Sequence, residues 1–243
     1  MIRRKLNSNS GFTMIELVII IIIIGIITAV AMVNMTSSFD TAKHEHTKAE
    51  LDALAFAIVG NPALYSNGAR SDFGYVGDIG SLPPDLSALV SNPGSYATWN
   101  GPYLESGSGY NQDGWGANYI YSGTLIRSSG SGANIDKMVA ASSLSLLSNS
   151  LTGYLVDASS TMPGAVYKDS LALRLTFPDG TGAMTTAVTM VDAKGNFSFS
   201  GIPIGNHRLT AVYLPDNDST TISVSITPAS VTKIDIVFPH DLW

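Results

Sequence analysis

The chain has 243 residues, 45% of them hydrophobic and 13% charged, which leaves room for one large domain or two modest ones. It contains no cysteine, so a disulfide framework, a thiolate metal site and a thiol nucleophile are all excluded. Its formal charge of −6 argues against nucleic acid as a partner.

The first predicted element is a membrane helix. Arg3, Arg4 and Lys5 precede an apolar run from Leu17 to Val33 whose most polar members are Gly25 and Thr28. Basic residues on the N-terminal flank hold that end in the cytoplasm, so the C-terminal bulk is exported. Phe12 to Met35 is 24 residues, about 36 Å of helix against a hydrocarbon core of about 30 Å. Glu16 lies inside the apolar stretch. A charge at the bilayer centre costs about 2.5–3.5 kcal/mol, and each Ile or Leu returns roughly 0.3–0.6, so the run outweighs it. Insertion tolerates Glu16 without explaining it, and no basic residue nearby in the helix offers a partner. Two plainer readings stand beside this one. Ala29-Val30-Ala31 has the form of a small-residue signal peptidase site, which would release a soluble protein and leave Glu16 accidental. A simple monomeric anchor is the other.

The segment Gly11-Phe12-Thr13-Met14-Ile15-Glu16-Leu17 resembles the cleavage site of class III signal peptides, carried by type IV pilins and type II secretion pseudopilins. The resemblance implies that a prepilin peptidase cuts between Gly11 and Phe12 and methylates the new terminus. Residues 1–11 are then a leader, residues 12–35 a transmembrane and assembly helix, and Glu16 the family's glutamate. It also implies a bacterial inner-membrane protein, single-pass with its C-terminus outside the cytoplasm, that becomes a periplasmic or extracellular filament. Its implied partners are copies of itself, the peptidase, an assembly ATPase and an inner-membrane platform. The amine created at Phe12 would supply the missing cation for Glu16 of a neighbouring helix and set the axial register. A product starting at Phe12 carries ten basic residues against nineteen acidic, a net −9.

The helix is predicted to continue to Val59. Leu51, Leu54, Ala55 and Ile58 follow the spacing of one buried face, and Gly60, Asn61 and Pro62 are stop signals. Where many pilins have a proline, about twenty-one residues into the mature chain, this one has Val33, so melting of the helix there is in doubt. His44 and His46 flank Glu45, but positions i and i+2 point in different directions on a helix, and a solvated face is the expectation rather than a metal site.

Next comes a stretch rich in Gly, Pro, Asn and Ser. Trp99-Asn100-Gly101-Pro102-Tyr103 and Asp113-Gly114-Trp115-Gly116-Ala117-Asn118-Tyr119 resemble the head of the major pseudopilin of type II secretion. The expected structure over residues 36–145 is a small antiparallel sheet laid on the helix, with Trp99, Tyr103, Trp115, Tyr119 and Tyr121 as core or seam residues. In that family a loop after these strands often holds calcium. Here Arg127 to Lys137 offers the Asp136 carboxylate and Asn134, far short of six to eight oxygens, so Asp136 is only a weak calcium candidate.

Ala140 to Ser150 reads as a short helix or linker. Beyond it, over residues 150–243, seven short runs rich in Val, Ile, Thr and aromatics predict an antiparallel sandwich: 153–157, 171–177, 184–191, 197–199, 208–214, 221–226 and 231–238. The stretch from Asp192 to Leu209 resembles the carboxypeptidase regulatory, or transthyretin-like, module, which implies a structural or adhesive role. His207 is expected in a turn role, and His240 beside Asp241 is too isolated for catalysis. No nucleophile elbow, phosphate loop or His-Glu-x-x-His is present. The fold class is α+β, a non-enzymatic filament subunit is the leading reading, and no cofactor is called for. The alternatives are a tip or adhesive pilin displaying the sandwich and a membrane-tethered carbohydrate binder.

Overall fold

A computed structural model describes residues 11–104, 109–239 and 241, with side chains at all of these but 33, 34 and 36. Arg3, Arg4, Lys5 and His240 lie outside the described residues, as does the side chain of Val33. The chain divides into two compact units at Glu45.

Helix α1, Met14–Val59, runs through both units without a break, position 33 included. In the first unit its side chains face outward almost without exception, and the most apolar 18-residue window, of mean hydropathy 3.0, has no buried residue. Thr28 and Thr41 turn their hydroxyls back to the carbonyls of Ile24 and Ser37, at 2.7 and 3.0 Å, which satisfies them within the helix.

In the second unit, the last turns of α1 supply Leu51, Leu54, Ala57 and Ile58 to a first apolar core. The buried face matches the spacing in the sequence. Gly60 ends the helix at φ +79°, with the Asp72 backbone where a side chain would sit. The last carbonyls are not left bare, because Arg70 donates to those of Val59 (2.6 Å), Gly60 (3.1 Å) and Asp72 (2.8 Å), with its guanidinium over the Phe73 ring. Arg70 reaches that place on a small hairpin, β1 Tyr65–Ser66 and β2 Ala69–Arg70. Helix α2, Gly74–Ile79, and a 3-10 turn, Leu86–Leu89, fill the core. An antiparallel sheet, β3 Ile120–Tyr121, β4 Leu125–Ser128 and β5 Ile135–Met138, completes the head, and Lys137 of β5 pairs with Asp52 of α1.

Helix α3, Ser143–Leu147, occupies the predicted junction, opened by the Ser142 hydroxyl accepting from the Ser145 amide. Seven strands follow: β6 Asn149–Val156, β7 Leu171–Pro178, β8 Met184–Met190, β9 Asn196–Ile202, β10 Gly205–Tyr213, β11 Asp218–Ile226 and β12 Val231–Val237, with helix α4, Gly164–Tyr167, before β7. They form two sheets, ordered β11-β10-β7-β8 and β12-β6-β9, around a second core that includes Leu151, Leu173, Phe197, Leu209 and Ile236. The fold is therefore α+β as expected. Head and sandwich also share material: Ile204, from the sandwich half, packs in the first core and donates its amide to Leu146 at 2.8 Å.

One expectation needs correcting, because the sandwich is not purely antiparallel: β12 runs parallel to β6, with Ile234 opposite Gly153. The chain leaves β11 in one sheet, turns at Thr227–Ser230 and enters the other sheet in the direction of β6, so the intervening strands act as the crossover that parallel neighbours need. Gly153 makes the pairing possible. A β-carbon there would collide with the Ile234 carbonyl, backbone against backbone. Gly153→Ala is expected to displace β12 and lower the unfolding midpoint by the equivalent of about 2 kcal/mol or more, with hydrogen exchange rising first in Val231–Val237; unchanged protection there would contradict this.

Candidate functional site

The N-terminal end of α1 begins with a reciprocal cap. The Thr13 amide donates to Glu16 Oε2 and the Glu16 amide to Thr13 Oγ1, each at 3.3 Å. This is a capping box, in which two otherwise orphaned donors of the first turn are satisfied together. Its signature, Thr-x-x-Glu before an apolar run, stands in the sequence, so this role of Glu16 was open to sequence reasoning and went unnoticed. Gly11, Phe12 and Glu16 are all exposed, and Phe12 is 73% accessible. The region thus presents a glycine with nothing within 4 Å of its Cα substituent position, an exposed aromatic, a carboxylate in the first turn and an uncovered apolar helix.

The head buries a few polar residues, Thr47, Arg70, Asp113 and Ser128 among them. Asp113 is buried and collects four donors: the Trp115 amide (3.0 Å) and Ala117 amide (2.9 Å) on Oδ1, the Ser128 hydroxyl (2.6 Å) and Gly130 amide (2.9 Å) on Oδ2. Burial alone raises its pKa, but these hydrogen bonds outweigh burial and hold the carboxyl below its usual range. The next residue is tied to the helix, Gly114 donating to the buried Thr47 hydroxyl at 3.0 Å. Tyr119 donates its hydroxyl to Glu50 at 2.8 Å. The Asp-x-Trp-Gly-x-x-Tyr motif is therefore a device that fastens a loop to α1.

The second motif works similarly. Trp99 donates Nε1–H to the Ala88 carbonyl at 3.0 Å and lies edge-on to Tyr103, centroids 5.7 Å apart. Gly101 is needed because a β-carbon would strike the Trp99 ring. Tyr103 reaches Asp78 at 2.8 Å; burial pushes Asp78 upward and this hydrogen bond pulls it partly back. Of the five predicted aromatics, Tyr119 is buried, and Trp99, Tyr103 and Tyr121 pack on the core. Trp115 is the exception, partly exposed and outside that cluster.

The stretch from Arg127 to Lys137 is largely hairpin rather than a free loop. Arg127 lies opposite Asp136 and holds both its oxygens, at 2.6 and 2.7 Å. A cation at Asp136 would have to displace the guanidinium. Among the described residues no group of three or more His, Asp or Glu side chains is arranged to hold a metal. His44 and His46 each approach a different carboxylate, Glu45 and Glu50.

Residues 6–32 match the prokaryotic N-terminal methylation motif, and residues 74–136 match the type II secretion system protein G family. The type II secretion system core protein G of Xanthomonas campestris pv. campestris is 26% identical over 111 residues, which are 43% of this chain and 68% of that protein. The resemblance to type II secretion pseudopilins is thus met at the N-terminal segment and in the head. Neither matched span reaches the C-terminal sandwich. Among solved structures, the dioxygenase domain of a dioxygenase carbohydrate-binding protein fusion from Streptomyces sp. SirexAA-E is 14% identical, over 42% of this chain and 86% of that one, with a TM-score of 0.30. A DUF3823 family protein from Parabacteroides merdae is 19% identical over 38% of this chain, which spans 46% of that one, with a TM-score of 0.29. At that distance neither bears on function.

His207 sits on β10, buried against Phe177, with Nε2 2.8 Å from the Pro203 carbonyl and Nδ1 buried without a partner among the described residues. Burial lowers its pKa, opposed by the Pro203 contact. The unfolded chain therefore binds a proton more readily than the folded one, so stability is full above about pH 6.5 and falls as pH drops below it. Thermal melts between pH 7.5 and 5.5 are expected to show that decline, and His207→Leu should flatten it; an equal slope in the variant would contradict the assignment.

Proposed function

We propose that the chain is a non-catalytic subunit of a type II secretion pseudopilus or related pilus, polymerised through the N-terminal part of α1. The observation that carries this reading is the uncovered apolar helix directly after Gly11-Phe12, with Glu16 in its first turn. In this proposal a prepilin peptidase cleaves between Gly11 and Phe12 and methylates Phe12. The new amine meets Glu16 of the adjoining subunit, which exchanges its Thr13 contacts for a charged partner. The subunit starts as a single-pass inner-membrane protein with its head outside the cytoplasm. An assembly ATPase and an inner-membrane platform extract it into the filament. Bilayer and bundle interior are similarly apolar, so the helix leaves one apolar surrounding for another, and packing and polar contacts decide the balance. The head is fastened to the second-unit part of α1 through Thr47, Glu50 and Asp52. No metal is required.

A second reading is supported by the sandwich, which lies beyond both matched spans: a rarer subunit that displays this module at the filament surface or tip. Subunit abundance in isolated filaments separates the two. Processing is tested with Gly11→Ala in cells carrying the peptidase. We expect a precursor that migrates above the wild-type product and keeps Met1; shortening to the normal size would count against peptidase cleavage at Gly11.

A further inference from the structure

The outer face of the sheet β11-β10-β7-β8 carries two arginines with nothing to neutralise them. Leu173, Leu175, Leu209 and Ala211 point into the second core, so the alternate residues of β7 and β10 point out. Arg208 is opposite Thr176, and Thr210 is opposite Arg174. The two arginines are therefore diagonal neighbours about 7–8 Å apart along the sheet surface, within joint reach of one extended ligand. Both are exposed, and among the described residues neither makes an ion pair or hydrogen bond.

Hydroxyls of Thr176, Thr210 and Ser223 adjoin them, and Val188 lies opposite Arg174 on the β8 side. Thr176 pairs with Thr186 and Thr210 with Thr221 across the strands, each at 3.0 Å between oxygens. No outward position on the four strands is Asp or Glu. In a chain of net charge −6 this is a local reversal of sign on a surface with several hydroxyls.

The chemistry selects the partner. Each guanidinium offers a planar fork suited to a carboxylate, and threonine hydroxyls both donate and accept, as sugar hydroxyls require. The face has no aromatic residue to anchor a protein partner, and its exposed apolar side chains, Met184, Val188 and Met190, are confined to the edge strand β8. Beside Arg208 the surface holds an open depression of about 330 Å³ that Asn206, Thr221 and Ser223 also line, and the arginine pair extends beyond it onto β7, as a polymer requires and a small molecule does not. Duplex DNA carries about one negative charge per 1.7 Å and is held by several phosphate contacts, more than two arginines supply.

We propose that this face binds an acidic polysaccharide, with Arg174 and Arg208 holding carboxylates of the polymer and the flanking threonines meeting its hydroxyls. The site belongs to the sandwich and does not depend on polymerisation. The full-length chain, purified in detergent, can be run by affinity electrophoresis in gels containing alginate, dextran or duplex DNA. Retardation by alginate alone, weakening as salt rises, is expected. Arg174→Gln with Arg208→Gln should weaken the alginate interaction by about tenfold or more, the scale of one or two lost charge-assisted contacts, with the melting temperature unchanged. Indifference to alginate, equal retardation of the double variant, or equal retardation by DNA would overturn the proposal.

Discussion

Among the described residues of its first unit, the apolar helix surface has no cover within its own chain. Burying a large aliphatic side chain is worth about 1.5–3 kcal/mol, and this surface presents isoleucine after isoleucine from Ile19 to Ile27. Water is therefore not its medium. A bilayer can cover it, and so can the same helix of other copies, and a subunit that passes from one to the other needs no refolding of the rest. Glu16 gives the surface a polar mark near one end. Its capping contacts with Thr13 engage one carboxylate oxygen and keep the first turn formed.

The head gains meaning from that constraint. Any force or register imposed on the helix reaches the rest of the chain only where the two are joined. Within the second unit those joints are the buried face of Leu51, Leu54, Ala57 and Ile58 in the first core and a set of short polar contacts: Thr47 to Gly114, Glu50 to Tyr119, Asp52 to Lys137, and the Arg70 cap on the helix end. Asp113 organises the loop that makes the first of them. The sandwich is joined in turn through Ile204 in the first core and hydrogen bonds from Asn206 to Ser71 and Ser225 to Arg70. These contacts, and not the chain connection alone, hold it to the head.

Some of this was legible in the residues. Leu51, Leu54 and Ile58 announced their buried face by spacing, and seven runs of β-forming residues became seven strands because turn residues separate them so plainly. The parallel course of β12 was not, since the alternation in Val231–Val237 is the same whichever way the strand runs. Arg70 gave no sign of capping a helix that ends ten residues earlier, because the hairpin that returns it is a tertiary event. Trp115 was expected in the core or at its seam, and Asp113 was passed over. The structure buries the carboxylate and leaves the indole partly exposed, since four converging donors offset the desolvation of the charge. At the helix start the residues that matter were all visible, and what the sequence reading missed was that Glu16 already has a partner in Thr13.

The central claim is that neighbouring helices pack with Phe12 of one beside Glu16 of the next, a stagger of four residues or about 6 Å. The absence of native cysteine makes this directly measurable. Chains bearing Ile20→Cys and Ile24→Cys, or the pairs at 22 and 26 and at 23 and 27, can be co-expressed and oxidised in assembled material. At least one pair is expected to give covalent dimers that neither single variant gives alone and that Glu16→Ala suppresses. Monomers from every pair, or dimers that persist undiminished without Glu16, would contradict the account.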